Sequence, residues 1–403
     1  MNIQFQRKVD RIVGTIICRI LTLFSRRKSA VSAPVKANKI LVILLSEMGS
    51  LVLAYPMFQR LKEKYPAAEL YGLLFEKNKE VLDLLGVTAE QNVLTINDRS
   101  PGTFLRDSLR VIMQLRKLKF DIVIDCELFA RISSILSFLS GAGIRVGFHA
   151  HTQEGLYRGN FMNRPVLYNP YRHMSLQFLT LAAAIESETT PRAKTAPEPN
   201  ELKAPLIEFE AQEIQDTRNR LTLANEGIKD KKLVLLYPGG GLLPIRAWPV
   251  EYYTEIAHEL LQNGYAVAVI GLAEDKALAG QILSRCNDPA CIDLTGYTKT
   301  VRDLLLIFQF AALLITNDGG PGQFAALTPM PSIIFYGPET PKLYGPDDEK
   351  AFVFYAPLPC TPCLTAYNHR QSPCDGDNLC LKRIPPDRVL AKVLEILNAE
   401  ILE

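Results

Sequence analysis

The chain has 403 residues, 48% of them hydrophobic and 22% charged, which is enough for two cores and ordinary for a soluble globular protein. The net charge of +2 hides a division, because residues 1–38 hold eight Lys or Arg against one acid and the remainder holds 37 basic against 42 acidic residues. A mildly acidic body is not made for nucleic acid, and eight cysteines, four of them crowded into 360–380, are not the spread of a secreted disulfide scaffold.

Residues 1–38 form a basic amino-terminal segment. On a helical wheel Lys8, Arg11, Arg19 and Arg26 fall within an arc of roughly 80° at 3.6 residues per turn. Ile12, Val13, Ile16, Ile17, Ile20, Leu21, Leu23 and Phe24 cover much of the rest. Arg19 breaks the apolar run that a spanning helix needs. It also argues against a signal peptide, as do Arg26, Arg27 and Lys28 after the apolar stretch. The segment reads as an amphipathic helix lying on the inner face of the cytoplasmic membrane, its arginines on lipid phosphates. Docking on the protein's own body is the alternative.

From Lys39 the pattern is that of a parallel sheet. Residues 39–45 (KILVILL) are a continuous apolar run of strand length, and further strands are predicted at 69–75, 92–96, 121–126 and 144–148. Helices are predicted between them at 51–64, 77–86, 101–117 and 129–140. Residues 186–206, rich in Pro, Thr, Glu and Lys, read as a linker between a first domain at 39–185 and a second at 207–403. In the second domain, strands are predicted at 232–237, 266–271, 291–294, 313–316 and 332–335. Helices alternate with them at 249–262, 274–285, 300–310 and 321–327, and a last helix follows from Pro385. The fold class is therefore α/β: two Rossmann-like, doubly wound parallel-sheet domains facing a cleft, with ligands at the carboxyl ends of the strands.

Three turns at strand ends are candidate sites. The first is Ser46-Glu47-Met48-Gly49-Ser50, with Tyr55-Pro56 beyond, a Gly-containing turn into a helix. The second, 237–249 (YPGGGLLPIRAWP), places Gly239, Gly240 and Gly241 directly after a strand, where bare N–H groups suit a diphosphate. Arg246 adds a fixed positive charge beside them. The third, 315–326, puts Asp318, Gly319 and Gly320 between a strand and a helix start near Pro321. Asp318 can accept from sugar or ribose hydroxyls, or simply cap the helix.

Together these turns resemble glycosyltransferase family 9, the heptosyltransferases of lipopolysaccharide assembly, over most of 39–395. The resemblance rests on Met48-Gly49-Ser50 with Pro56, Arg246-Ala247-Trp248-Pro249, Leu294-Thr295-Gly296, Asn317 to Gln323 and Tyr336-Gly337-Pro338. It implies a GT-B fold and an inverting transfer that needs no metal. The donor is then held in the second domain by Gly239–Gly241, Thr295, Asp318, Gly319 and Gly320, and the acceptor in the first near Gly49 and Ser50. Inversion needs a base for the acceptor hydroxyl and a group to stabilise the departing diphosphate. The family has an Asp where this chain has Ser50, and a serine carries no carboxylate. Glu47, three residues earlier, is the candidate base, with Asp125 and Glu127 in reserve, and Arg246 is the candidate cation. Gln323 stands where the family has His, and Gly319 where it has Ser, so the donor sugar need not be heptose.

Two further features stand apart. Cys360-x2-Cys363-x10-Cys374-x5-Cys380, with His369, lies in a polar loop at 357–383 and offers four ligands for a structural zinc; an iron–sulfur cluster, two disulfides or free thiols are the alternatives. Arg145, His149, His151, Tyr157, Arg158, Arg164, Tyr168, Tyr171, Arg172 and His173 offer a basic, aromatic surface for an anionic glycolipid acceptor, or an ordinary exposed loop. The sequence thus predicts a membrane-surface glycosyltransferase that moves a sugar from a nucleotide-sugar donor, of the ADP-heptose type, to a lipid-linked or envelope glycan acceptor. A GT-B subunit that binds nucleotide-sugar without catalysis is the second reading, and a nucleotide-sugar hydrolase or epimerase the third.

Overall fold

A computed structural model describes residues 3–25, 35–45, 47–128, 130–149, 157–194, 202–366 and 371–399. Ser46, His151, His369 and Arg26 to Lys28 therefore lie outside the described residues. The chain divides into two compact units, Met1–Lys203 and Ala204–Glu403.

The first unit opens with α1 (Ile3–Val9) and α2 (Thr15–Leu23), joined by a π-helical turn at Asp10–Gly14. Six parallel strands follow: β1 (Lys39–Ile43), β2 (Glu69–Phe75), β3 (Val93–Ile96), β4 (Ile122–Asp125), β5 (Ile144–Phe148) and β6 (Arg164–Val166). Their order is β3-β2-β1-β4-β5-β6, with the direction of winding changing between β1 and β4. The connecting helices are α3 (Met48–Lys64), α4 (Lys79–Leu84), α5 (Pro101–Leu118), α6 (Arg131–Leu139) and, after β6, α7 (Met174–Ala183). Ile40 to Ile43 are all buried, as a strand covered on both faces requires. At the start of α5, Ser100 and Thr103 satisfy each other's backbone N–H groups in a capping box, with Pro101 at the first helical position.

The amino-terminal helix settles on α6. Asp10 Oδ1 accepts from the backbone N–H groups of Arg131 at 2.9 Å and Ile132 at 3.1 Å, and Arg131 Nη1 lies 3.2 Å from Asp10 Oδ2. A carboxylate thus caps α6 from more than a hundred residues away in sequence. A Cβ at Gly14 would come within 2.9 Å of Arg131 Cβ, so only glycine permits this approach. One turn on, Cys18 is fully buried against Ile135 and Phe161, and burial pushes its thiol up to about 11. The opposite face is bare: Ile12, Val13, Ile16, Ile20, Leu23 and Phe24 are each about half exposed or more. Docking on the body and an apolar outer face therefore coexist.

The second unit begins with α8 (Ala211–Ala224) and repeats the grammar. Its strands are β7 (Leu233–Tyr237), β8 (Ala266–Gly271), β9 (Cys291–Thr295), β10 (Leu313–Asn317), β11 (Ser332–Tyr336) and β12 (Ala351–Tyr355), all parallel, in the order β12-β11-β10-β7-β8-β9. Its further helices are α9 (Val250–Gln262), α10 (Lys276–Cys286), α11 (Val301–Phe308), α12 (Gly320–Ala325), α13 (Pro341–Tyr344), α14 (Leu379–Lys382) and α15 (Pro386–Ala399). Trp248 stacks on Phe335 at 4.3 Å between ring centres and donates its indole N–H to Ile384 O, fixing α9 and the segment before α15 to the sheet. Among the described residues no helix is long and apolar enough to cross a membrane.

Candidate active site

In an open parallel sheet, ligand-binding loops gather where the winding reverses. In the second unit that point lies between β7 and β10, and the glycine turn and the Asp318 turn leave these two strands side by side. Asn317, fully buried at the end of β10, joins them. Its Nδ2 donates to Gly239 O at 2.9 Å and Pro238 O at 3.1 Å, and its Oδ1 accepts from Trp248 N–H at 2.8 Å and Tyr253 O–H at 3.1 Å. One amide therefore holds the glycine loop, the Arg-Ala-Trp-Pro segment and the β10 turn together. Buried amides of this kind are satisfied or costly, and this one is satisfied on both sides.

Arg246 lies beside that node, and sequence reasoning left it as a single cation facing the donor. The structure brackets it with two acids: Nε is 3.5 Å from Asp318 Oδ2, and Nη2 is 3.4 Å from Glu339 Oε1. All three side chains are largely buried. The guanidinium is thus oriented by its neighbours and its charge partly offset. Glu339 was missed; it follows Tyr336-Gly337-Pro338 at the end of β11, and an acid at a strand's carboxyl end was the available signal. Tyr336 beneath it keeps its proton, because burial and then the Asp318 charge raise its pKa, and it donates to Tyr344 O at 3.0 Å.

The glycines answer to packing as well as to any ligand. A Cβ on Gly240 would lie 2.7 Å from Pro244 Cα, and Gly241 has φ +57°, so the loop's own path demands both. Gly320 opens α12, a helix of six residues, and Gly319 precedes it in extended backbone. Thr295 spends its hydroxyl on Asp293 Oδ1 at 2.6 Å. Gln323 is buried and donates to Tyr344 O at 2.6 Å, which ties α12 to α13.

In the first unit the winding reverses between β1 and β4, and the candidate residues again follow those strands. Glu47 precedes the first residue of α3 in extended backbone, and its Oε2 accepts from Ser50 Oγ at 2.9 Å. Glu47, Gly49 and Ser50 are all half-buried. The reserve acids are not comparable. Asp125 is fully buried, accepts from the guanidinium of Arg158, and its pKa is raised by burial against that pairing. Glu127 is buried too, and its Oε1 accepts from Leu45 N–H at 2.6 Å while Asn78 Nδ2 donates to Leu45 O at 2.7 Å. Glu127 and Asn78 clamp the residue that leads into the Glu47 turn. Their role is to hold backbone, which spacing alone does not reveal.

The basic, aromatic stretch is mostly structural. Arg158 and Arg164 are buried, Arg145 donates to Phe161 O and Ala142 O, Tyr168 is buried, and His173 caps α7 through Ser175 N–H. Tyr171 and Arg172 are exposed, and Tyr157 is at the margin. The expected acceptor surface shrinks accordingly, because most of these cations have backbone or carboxylate partners within the unit.

Part of the cysteine loop, residues 367–370 with His369, lies outside the described residues. Among the described residues no three of His, Cys, Asp and Glu gather as a metal site. Cys360 and Cys374 are exposed, Cys363 Sγ accepts from Ser372 Oγ at 3.1 Å, and Cys380 is buried against Gly337.

Two doubly wound units, with glycine-containing turns at both reversal points, have the architecture of the GT-B class of glycosyltransferases. Comparison with known proteins agrees. The sequence profile of Glycosyltransferase family 9 (heptosyltransferase) matches residues 108–372, and the chain belongs to that family. It is 25% identical to lipopolysaccharide heptosyltransferase 2 of Escherichia coli K12 over 381 residues, 91% of this chain and 99% of the relative. It is 24% identical to lipooligosaccharide heptosyltransferase 2 of Haemophilus ducreyi over 321 residues, 78% of this chain and 88% of the relative. The solved structure of E. coli ADP-heptose lps heptosyltransferase II superposes with a TM-score of 0.70 at 21% identity, covering 90% of this chain and 99% of that one. The protein is a glycosyltransferase of the heptosyltransferase kind.

Proposed function

We propose that this protein transfers a heptose-type sugar from an ADP-linked donor to a lipopolysaccharide-type acceptor, with inversion and without a catalytic metal. The acceptor hydroxyl oxygen attacks the anomeric carbon, its proton passes to Glu47, and the bond from that carbon to the diphosphate breaks as the nucleoside diphosphate departs. The donor loops and Arg246, already oriented by Asp318 and Glu339, receive the departing charge without reorganising. The observation that carries this reading is the Asn317 node, which draws the glycine loop, the Arg-Ala-Trp-Pro segment and the Asp318 turn to one place. The heptose and ADP assignments come from the names of the relatives.

The amino-terminal helix completes the proposal. Its bare apolar face, with exposed Lys8, Arg11 and Arg19, suits the surface of an anionic bilayer and supports a position on the inner face of the cytoplasmic membrane beside a lipid-linked acceptor. The test is a panel of ADP-, UDP-, GDP- and CMP-sugars by thermal shift, followed by turnover with an acceptor extract. Stabilisation by an ADP-sugar, release of ADP and labelled lipid are expected. Donor uptake without turnover would make the chain a binding subunit instead.

A further inference from the structure

A helix packed on a sheet hides its apolar stripe, and α5 does so with Val111 and Leu115, both fully buried. It also carries a second stripe. Leu105, Leu109 and Met113 are 61%, 54% and 66% exposed, and their spacing of four aligns them as one ridge along the outer face. The inward side is already filled, so the ridge is not a core stripe in another guise.

The ridge has a strongly basic border. Residues 99–119 contain six Lys or Arg and a single acid, Asp107. That acid is buried and is occupied by Arg106 at 3.1 Å and Arg110 at 3.6 Å. The ridge lies on the same side of the sheet as the amino-terminal helix. Right-handed crossovers put α5 and α6 on the same face of the sheet, and α1 and α2 lie on α6. Gln6 Nε2 reaches Asp98 O, in the turn that leads into α5, at 3.5 Å.

We propose that the Leu105–Leu109–Met113 ridge is a second contact with an anionic lipid surface, so that the first unit rests on the membrane at two points. Three apolar side chains edged by arginines, with no accessible acid among them, match the boundary between lipid phosphates and acyl chains. A symmetric pairing of two copies through this ridge would set Arg106 and Arg110 against the same cations of the other copy, which disfavours that occupant. The inference rests on the membrane reading of the amino-terminal helix, and two contacts fix an orientation that one helix leaves free to roll.

The experiment is co-sedimentation of the full chain with vesicles of phosphatidylethanolamine and phosphatidylglycerol. One triple variant carries Leu105→Ser, Leu109→Ser and Met113→Ser, and another carries Ile12→Ser, Ile16→Ser and Ile20→Ser. Each is expected to lower vesicle affinity about tenfold or more, with the melting temperature and ADP binding unchanged. A ridge variant that binds like the native protein while the helix variant fails would overturn the second contact and leave the first. A native protein that ignores the vesicles would remove both. Concentration-dependent dimers without lipid, lost in the ridge variant, would assign the ridge to a second copy. A single Leu109→Trp replacement gives an independent readout, since Trp248 is buried and the new indole emission should shift to the blue only when vesicles are added.

Discussion

Ser50 Oγ donates to Glu47 Oε2 at 2.9 Å across the first turn of α3. The Ser50 hydroxyl thus serves an acid three residues closer to the strand. If Glu47 is the base, Glu47→Gln should lower kcat by roughly 10²–10⁴ while ADP-sugar affinity stays as it was. Ser50→Ala should lower kcat by only about tenfold, since it removes one positioning bond and no proton acceptor. Steady-state kinetics with titration calorimetry separate the two effects, and near-native turnover by Glu47→Gln would exclude the residue.

Asn317 should matter to both stability and donor binding. Asn317→Ala strands three carbonyls, an N–H and a buried tyrosine hydroxyl, and is expected to destabilise the second unit by about 2–4 kcal/mol in urea unfolding. Asn317→Asp should be worse, because it sets a charge against those carbonyls where the amide donated. Loss of ADP binding in protein that is still folded at low urea would mark the node as the organiser of the donor loops.

The Arg158–Asp125 pair predicts a pH dependence. Burial raises the Asp125 pKa, and the Arg158 guanidinium opposes that rise. Arg158→Leu should destabilise the first unit by about 3–5 kcal/mol near neutral pH, because it leaves a buried carboxylate alone. Without its partner the folded-state pKa climbs further above the unfolded value, so the folded state binds the proton more tightly. The deficit should therefore shrink as pH falls through that raised pKa towards the ordinary carboxylate range. Thermal melts of native and variant protein from neutral to acidic pH check the sign, and a constant deficit would contradict it.

The cysteine loop gives a clean analytical test. The spacing of Cys360, Cys363, Cys374 and Cys380 suits a structural zinc, whereas the described residues show no gathered set. Protein purified without chelator should hold about one zinc per chain if the loop folds around it. Cys363→Ser should then lose the metal and lower the melting temperature. Metal-free protein of unchanged stability would retire the zinc.

Ten of the twelve strands among the described residues could be read from the sequence, because continuous apolar runs such as Ile40 to Ile43 leave few alternatives. The two missed strands, β6 and β12, are both sheet edges. β6 is only Arg164-Pro165-Val166, and a proline that cannot donate to a ladder conceals a strand which, at an edge, tolerates it. β12 (AFVFY) had the apolar signal, but the turn-rich stretch from Pro338 to Lys350 separates it from the helix–strand rhythm. The site was legible to the extent that motifs sit at strand ends. The bracketing of Arg246 by Asp318 and Glu339 was not, since those acids lie 72 and 93 residues away in sequence and only the order of β7, β10 and β11 brings them near. In the 145–173 stretch the misreading ran the other way. Composition suggested an exposed basic surface, yet partners from distant elements, Asp125 for Arg158 among them, take those cations inward.

The Asp10 cap on α6 also orders events during synthesis. Asp10 is made 121 residues before the N–H of Arg131, and Cys18 precedes Phe161 by a similar distance. Chains emerge and fold from the amino terminus, so for that whole interval the first helix has no socket and Asp10 has no helix start to cap. A nascent amphipathic helix with nowhere to dock is sticky, and its first available surface is lipid or a chaperone rather than its own body. Deleting it to gain solubility would leave α6 without the carboxylate at its start and would open the hollow that Cys18 fills, so a shortened chain would be weaker inside as well as less greasy outside.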